Sequence, residues 1–396
     1  MNKLAAIILT AVVLALAWGA YKVETAPLAN RQKFSIAAAD PSAAPYAELD
    51  KARVLTVSDN SEVQGSRYSR ITARLQVRLL TGREQGQQVE VVQDEQLTDA
   101  RLQEIHPGDI IVVGQIQIPV PQDQSLGGPA QAASYVLVDR YRLPGLAALA
   151  AIFLILAALL GRWRGLTSLV GLAVSAGILI WFVAPNILAG KDPVVVTLVG
   201  AGGIALVSMF LAHGFNRRTV LAVISTLLTL GLAEVLAYYA VIWTRLFGNG
   251  SEEAFYLQQG FAGNINLRGL LLGGILIGSL GILNDITTAQ AAAVAELRGA
   301  NSSLTLKELY QKGLSVGREH IASLINTLVL VYVGTSLPLF LLVTLTTVSQ
   351  QWWAILNSGS LAEEIVRTLV GGLALILAVP ITTILAAFVF SRRPSE

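Results

Sequence analysis

Residues 273–297, GGILIGSLGILNDITTAQAAAVAEL, are the stretch of this 396-residue chain that decides its fold. The stretch opens as an apolar segment typical of a transmembrane helix, and its small residues allow a second helix to pack closely. Asn284 and Asp285 interrupt the apolar run, and Thr288 follows one turn later. A carboxylate at membrane depth is costly, so Asp285 and its polar neighbours predict a functional site inside a helix.

The composition of the whole chain indicates a membrane protein. Hydrophobic residues make up 54% of it and charged residues 14%, with a mean hydropathy of +0.60, whereas soluble domains carry about 25% charged residues. The chain has no cysteine, which excludes disulfides and thiolate metal sites. Seven apolar runs predict a seven-span domain over residues 143–391, with the runs at 143–160, 166–185, 193–212, 219–246, 269–296, 320–348 and 365–390.

The amino-terminal residues predict one further span. An apolar run follows Lys3 and is about the shortest that crosses a bilayer. We interpret residues 4–21 as an uncleaved signal-anchor helix; the alternative is a cleaved signal peptide that ends near Trp18-Gly19-Ala20. Residues 22–46, rich in Ala, Pro and Ser, are a predicted linker. The predicted fold class is therefore a polytopic α-helical membrane protein with about eight spans.

Residues 47–142 have a different pattern, which predicts a small all-β domain outside the cytoplasm. Residues 68–80 alternate apolar and polar side chains with a period of two, as in a half-buried strand. Further strand candidates lie at 54–57, 88–92, 110–114 and 135–141. We expect a barrel similar to an OB-type barrel. Its arginine-rich strand face is interpreted as a solvated surface, because no aromatic stacking set accompanies the arginines; the alternative is a face that binds polyanions.

The basic residues in the loops predict the orientation of the spans. With the β-domain outside, the excess of Lys and Arg falls consistently in the inner loops and the tail, as the positive-inside rule requires. The inner side then holds Arg162, Arg164, Arg217, Arg218, Arg298, Lys307, Lys312, Arg318, Arg392 and Arg393, and the outer loops hold Lys191, Arg245 and Arg268. The carboxyl terminus is therefore predicted to be cytoplasmic.

Counting residues along the spans predicts the depth of the polar groups. Asp285 lies ~24 Å into its helix from the outer side, and Asn326 and Thr327 lie ~9–10 Å into the next helix from the inner side. These depths are similar, so we expect that Asp285 and Asn326 can form a hydrogen bond. Glu234 is a second carboxylate inside a span. Two interpretations of the carboxylates stay open: proton or cation coupling, and polar contacts that only fix helix packing.

The last span and the inner loop before it carry further polar features. Glu363, Glu364 and Arg367 predict an interfacial ion cluster at the outer rim. Pro380 predicts a kink in the final helix, with nearby threonine hydroxyls as partners for the freed backbone groups. Thr305 and Glu308 have the spacing of a capping box and predict a short amphipathic helix on the inner membrane surface.

The motifs of several enzyme classes are absent from the sequence. No G-x-x-x-x-G-K-[ST], H-E-x-x-H or G-x-S-x-G pattern occurs, so neither P-loop nucleotide hydrolysis nor those two hydrolase types is indicated. Asp285 is the only deep aspartate, whereas an intramembrane aspartyl mechanism needs two. We therefore expect a protein that is not an enzyme, without a cofactor, a catalytic residue or a metal site.

The chain resembles the YibE/F-like family of bacterial multipass membrane proteins over residues 146–391. Three ordered blocks carry the resemblance: residues 281–285 with Glu296-Leu297; Gly317-Arg318, residues 326–328, Tyr332, Gly334 and residues 336–338; and residues 364–367, Leu369, Gly371 and residues 380–382. The resemblance implies an integral protein of the bacterial inner (plasma) membrane whose function is not established.

Two functions are compatible with these features. The first hypothesis is a transporter-like or channel-like protein that moves a small solute or ion past Asp285. The alternative is a scaffold or signalling protein, whose β-domain binds an extracytoplasmic protein partner while the spans anchor and oligomerise it. The lipid bilayer is the partner common to both, and nucleic acid is expected in neither.

Overall fold

A computed structural model of the chain describes residues 49–63, 70–96, 105–117, 133–260, 265–346 and 351–391. These residues divide into two compact units, with the boundary after Ile155. The first unit contains the strands and the second contains most of the helices. The predicted signal-anchor helix at 4–21 and the linker at 22–46 lie outside the described residues.

The first unit is built on a closed barrel of five strands, and this confirms the predicted small β-domain. The strands are β1 (Leu49–Val63), β2 (Arg70–Leu79), β3 (Gln88–Gln96), β4 (Ile110–Gln117) and β5 (Ala133–Arg140). Around the barrel their order is β1-β2-β3-β5-β4, and β4 closes it onto β1. All neighbouring strands are antiparallel except β3 and β5, which are parallel.

The alternation along β2 places its apolar side chains in the barrel interior. Leu75, Val77 and Leu79 are fully or almost fully buried, whereas the residues that alternate with them, Arg74, Gln76 and Arg78, are exposed. This is the period of two that a strand with one buried face requires. Each of the other four strands also contributes apolar residues to the interior: Ala52, Val54, Val91, Ile111, Val113 and Tyr135.

The turn after β2 depends on a glycine. Gly82 has a φ of +87°, a conformation that side chains with a Cβ rarely adopt. The buried carboxylate of Asp50 accepts a hydrogen bond from the hydroxyl of Thr81 at 3.1 Å. A Cβ on Gly82 would collide with that carboxylate. The turn therefore needs glycine both for its backbone angle and for space.

The helices follow the barrel in sequence, and all of them belong to the second unit except the part of the first helix before Leu156. In chain order these are α1 (Leu143–Ile178), a π-helical segment (Leu179–Val183), α2 (Ala184–Leu188), α3 (Pro193–His213), α4 (Arg217–Trp243), α5 (Glu252–Gly260), α6 (Leu267–Ala300), α7 (Leu306–Thr335), α8 (Leu337–Thr346), α9 (Trp352–Leu356) and α10 (Gly359–Ser391). Within α1, Arg162 has non-helical angles, with φ of 50°, so two spans meet there.

Six helices in the described part of the chain are long and apolar enough to cross a membrane: Leu143–Trp163, Gly165–Leu188, Pro193–His213, Arg217–Trp243, Leu267–Ala300 and Gly359–Ser391. The predicted run at 320–348 is not among them. It is divided between α7 and α8, and α7 begins earlier, at Leu306, because the capping box of Thr305 and Glu308 opens it. The predicted short surface helix is thus the first part of α7. Hydrogen bonds from Thr305 lower the pKa of the Glu308 carboxyl.

Helix α6 lies at the centre of the second unit. It packs against α3, α4, α7 and α10, and its buried positions include Ile275, Leu276, Leu283 and Ile286. These side chains join two apolar clusters that run through the unit. The helix that carries the polar residues is therefore in contact with four other helices.

Replacement of Gly82 by Ala is expected to destabilise the barrel more than the same change at Gly86. Both glycines have a positive φ, but nothing lies within 4 Å of a Cβ on Gly86. The backbone strain costs about 1–2 kcal/mol at either position, and the collision with Asp50 adds to the loss only at Gly82. Pulse proteolysis of the purified full-length protein in urea measures the free energy of unfolding. Equal losses in the two variants would contradict the role of Asp50.

Candidate functional site

A polar seam lies between α3 and α6 at the position of Asn284. The side-chain amide of Asn284 donates to the hydroxyl of Ser208 at 3.3 Å. Thr288 lies one turn further along α6, on the same face. The Asn284 Oδ1 and Thr288 Oγ1 atoms are buried and have no hydrogen-bond partner among the described residues. The seam therefore presents two oxygen atoms that can still accept a hydrogen bond or bind a cation.

Asp285 lies next to this seam, on the open face of α6. Gly274, Gly278, Gly281 and Asp285 recur every three or four residues, so they share one side of the helix, and all four are exposed. No atom lies within 4 Å of a Cβ built on Gly274 or Gly281. The Asp285 carboxylate interacts electrostatically with His213, the last residue of α3.

The expected hydrogen bond between Asp285 and Asn326 is absent from the described part of the chain. Helices α6 and α7 are antiparallel, since Gln290 contacts Gly313 while Tyr332 lies beside Gly278. With this register, Asn326 is within about one helical turn of the level of Asp285. The two side chains are nevertheless exposed on their own helices. The predicted depth was therefore close, but it did not specify which face of each helix the side chains occupy.

The other predicted polar residues do not join the seam. Thr327 donates its hydroxyl back to the carbonyl of Ser323 at 3.1 Å, within α7. Glu234 is half-buried on α4, and one of its carboxylate oxygens has no partner among the described residues. Thr226 of α4 faces Thr287 of α6 at 2.7 Å, and Glu234 lies about 12 Å beyond Thr226 along α4. The carboxylates of Asp285 and Glu234 are thus at different sites.

A second polar contact joins α6 to α7 and α10 through Gln290. This side chain is fully buried, and its amide donates to the carbonyl of Gly313 at 2.8 Å and to the hydroxyl of Thr383 at 2.7 Å. A Cβ on Gly313 or Gly317 would collide with side chains of α6 or α10. The two glycines therefore allow α7 to approach closely enough for the contact. The signal in the sequence was their four-residue spacing, opposite a polar residue on an apolar helix.

The three residues of the predicted outer ion cluster interact electrostatically with one another, and they make direct contacts of two different kinds. Glu364 and Arg367 form an ion pair at 3.0 Å, one turn apart on α10. Glu363 is buried, and its carboxylate accepts a hydrogen bond from the backbone N–H of Gly250 at 3.0 Å. A Cβ on Gly250 would collide with Glu363 and Gly359. Glu363 therefore holds the loop before α5 against the start of α10.

Helix α10 continues through Pro380 from Gly359 to Ser391. The hydroxyl of Thr383 donates to the carbonyl of Val379 at 2.6 Å, and the same oxygen accepts from Gln290. Thr382 is fully buried, and its hydroxyl has no partner among the described residues. The Thr383 hydroxyl thus contacts both its own helix and the junction with α6.

The seam and the adjacent Asp285 together place several proton- or cation-binding groups near one another. A carboxylate, an amide oxygen and a hydroxyl lie within four residues of one helix, and an imidazole acts on the carboxylate from α3. Oxygen atoms of these kinds bind hard cations or water. In the described residues, no three His, Asp or Glu side chains lie close enough together to hold a metal ion by themselves.

Comparison with known proteins gives one match. The model of a family described as YibE/F-like protein matches residues 149–392, which is more than half of the chain. The matched part contains the polar seam, the Gln290 junction and the outer contacts. No curated protein matches the chain, and no solved structure matches it.

Replacement of Gln290 by Leu is expected to destabilise the helical unit by about 1–2 kcal/mol, because two interhelical hydrogen bonds are lost. Thr288→Val is the matched control on the same helix, since the Thr288 hydroxyl has no partner among the described residues, and it should change stability little. Equilibrium unfolding of the purified protein in mixed micelles measures both free energies. A control that loses as much stability as Gln290→Leu would show that the amide does not join the helices.

Proposed function

This chain belongs to the YibE/F-like protein family, and on that premise we propose that its helical unit spans the bacterial plasma membrane and moves a small solute or an ion past Asp285. Six long apolar helices support the membrane location. The basic residues of the loops favour an orientation with the barrel outside and the carboxyl terminus in the cytoplasm. The strand order of the barrel is compatible with an OB-type architecture.

One observation carries the transport proposal: Asp285 is exposed on a face of α6 that otherwise presents small residues. An aspartate at the centre of a lipid-facing helix costs about 2.5–3.5 kcal/mol. A carboxylate at this depth therefore requires water, a cation or another polar group on the open face. The glycines leave room there for a narrow polar passage beside α6.

The chemistry proposed for the passage is exchange of a proton or a small cation at Asp285. The ionised carboxylate binds the cation, and the free oxygens of Asn284 and Thr288 supply further ligands one turn apart. His213 adds a second group that gains or loses a proton near neutral pH. Its position at the inner end of α3 favours exchange with the cytoplasmic side under the proposed orientation.

Asp285→Asn is expected to abolish flux while the protein stays folded. The amide keeps the shape of the side chain but can neither carry the negative charge nor accept a proton near neutral pH. Flux is measured in proteoliposomes under a proton or potassium gradient, with a pH-sensitive dye inside. Glu296→Gln is the matched control, because Glu296 is an exposed acid on the same helix whose partner is Arg218. Wild-type flux in the Asp285 variant at equal protein amounts would refute the transport role.

A second function, binding of an acidic extracytoplasmic partner by the barrel, is favoured by a pair of arginines. Arg53 of β1 lies directly opposite Arg78 of β2, and both are exposed. Like charges in this position destabilise a sheet, whereas the nearby Arg74 is offset by Glu90 at 3.5 Å. A negatively charged partner would offset the first pair as well.

The double variant Arg53→Gln/Arg78→Gln is expected to lose at least half of the crosslinks between the barrel and an extracytoplasmic protein in intact cells. Its barrel should be at least as stable as that of the wild type, because the repulsion is removed. Crosslinking yield and pulse proteolysis measure the two effects. Unchanged crosslinking, or no crosslinks from the wild type, would count against the partner-binding function.

A further inference from the structure

An apolar groove lies between the first turns of α4 and the last turns of α10. Its volume is about 450 Å³, which is within the usual range for sites that hold small organic ligands. The walls are apolar and consist of Phe215, Val220, Leu221, Ile224, Leu385 and Val389. Asn216 and Arg217 form its polar rim. The groove is thus suited to an amphiphilic ligand, because it has a long apolar wall and one polar end.

The polar end carries a positive charge that no acidic side chain of the described residues offsets. Arg217 is exposed and forms no ion pair within the described part of the chain, and no acid lines the groove. The neighbouring Arg218 instead forms an ion pair with Glu296 at 2.7 Å. Consecutive arginines therefore differ in role: one is neutralised by the protein, and the other is available to a ligand.

The rim is held in a fixed position by its own contacts. The rings of Phe210 and Phe215 stack with centroids 4.0 Å apart and planes 2° from parallel. The side chain of Asn216 accepts a hydrogen bond from the Thr219 N–H at 3.0 Å and donates to the His213 carbonyl at 2.9 Å. The backbone that carries Arg217 is therefore ordered before any ligand binds, which lowers the entropic cost of binding.

We propose that this groove is a binding site for an anionic phospholipid, with one acyl chain along the apolar wall and the headgroup phosphate at Arg217. Arg binds phosphate oxygens through paired, charge-assisted hydrogen bonds. Basic pockets between transmembrane helices bind anionic lipid headgroups. A net negative lipid is favoured over a zwitterionic one because no acid at the rim attracts a headgroup amine. The site requires only a membrane location and is independent of any transport past Asp285.

The test measures lipid retention by the full-length protein. The protein is placed in nanodiscs that contain equal amounts of phosphatidylglycerol and phosphatidylethanolamine with the same acyl chains, then released and examined by native mass spectrometry. The wild type should retain one phosphatidylglycerol in preference to phosphatidylethanolamine. Arg217→Gln should reduce that preference about 10-fold, which corresponds to the loss of one charged contact. Arg218→Gln should retain the wild-type preference.

A second variant tests the apolar wall. Ile224→Trp fills the groove and should reduce retention of the lipid, while thermal unfolding of the purified protein checks that the variant is folded. Equal retention of the two lipids by the wild type, or an unchanged preference in Arg217→Gln, would overturn the proposal. Unchanged retention in a folded Ile224→Trp would also overturn it, because lipid would then be bound elsewhere or the groove would be occupied by the chain's own apolar residues.

Discussion

The side-chain amide of Gln290 links helices α6, α7 and α10. The glycines of α7 allow the close approach that this contact needs. The two hydrogen bonds of the amide reach α7 at Gly313 and α10 at Thr383. A buried amide in an apolar surrounding is costly unless it is paired, so α7 and α10 must stay close enough to pair it. The buried face of α6 between its four neighbours depends on this spacing. On this face the amide nitrogen of Gln290 makes two hydrogen bonds, whereas its amide oxygen has no partner among the described residues.

The opposite face of the same helix is organised differently. Around Asp285 the helix presents small residues, an exposed carboxylate and two buried oxygens without partners in the described residues. A junction of three helices and an exposed carboxylate therefore occur within two turns of one helix. This arrangement resembles the usual separation of a site from its scaffold: the junction fixes the backbone, and the open face keeps its polar groups available.

The sequence predicted features that are set locally better than features that depend on packing. The strand alternation of β2 and the capping box at Thr305 are local, and both are present. Asp285 was identifiable as a candidate site residue because a charged residue inside an apolar run can be recognised from the sequence alone. The expected hydrogen bond between Asp285 and Asn326 is absent from the described residues. Counting residues gives the level of a side chain along its helix, whereas the side chains that face the neighbouring helix depend on how α7 crosses α6. The sequence did not predict that Gln290 joins three helices, because this role depends on the close approach of Gly313 on α7.

The continuity of α7 has a mechanical consequence. Its first turns, opened by Thr305 and Glu308, and its apolar part up to Thr335 form one uninterrupted rod, about 45 Å long. Gly317 lies near the middle and is closely packed against Val379 and Gln290. A tilt of about 10° about this contact would carry Tyr332 about 4 Å, past Gly278 on α6. A tilt of the amphipathic end would thus displace the opposite end of the same helix.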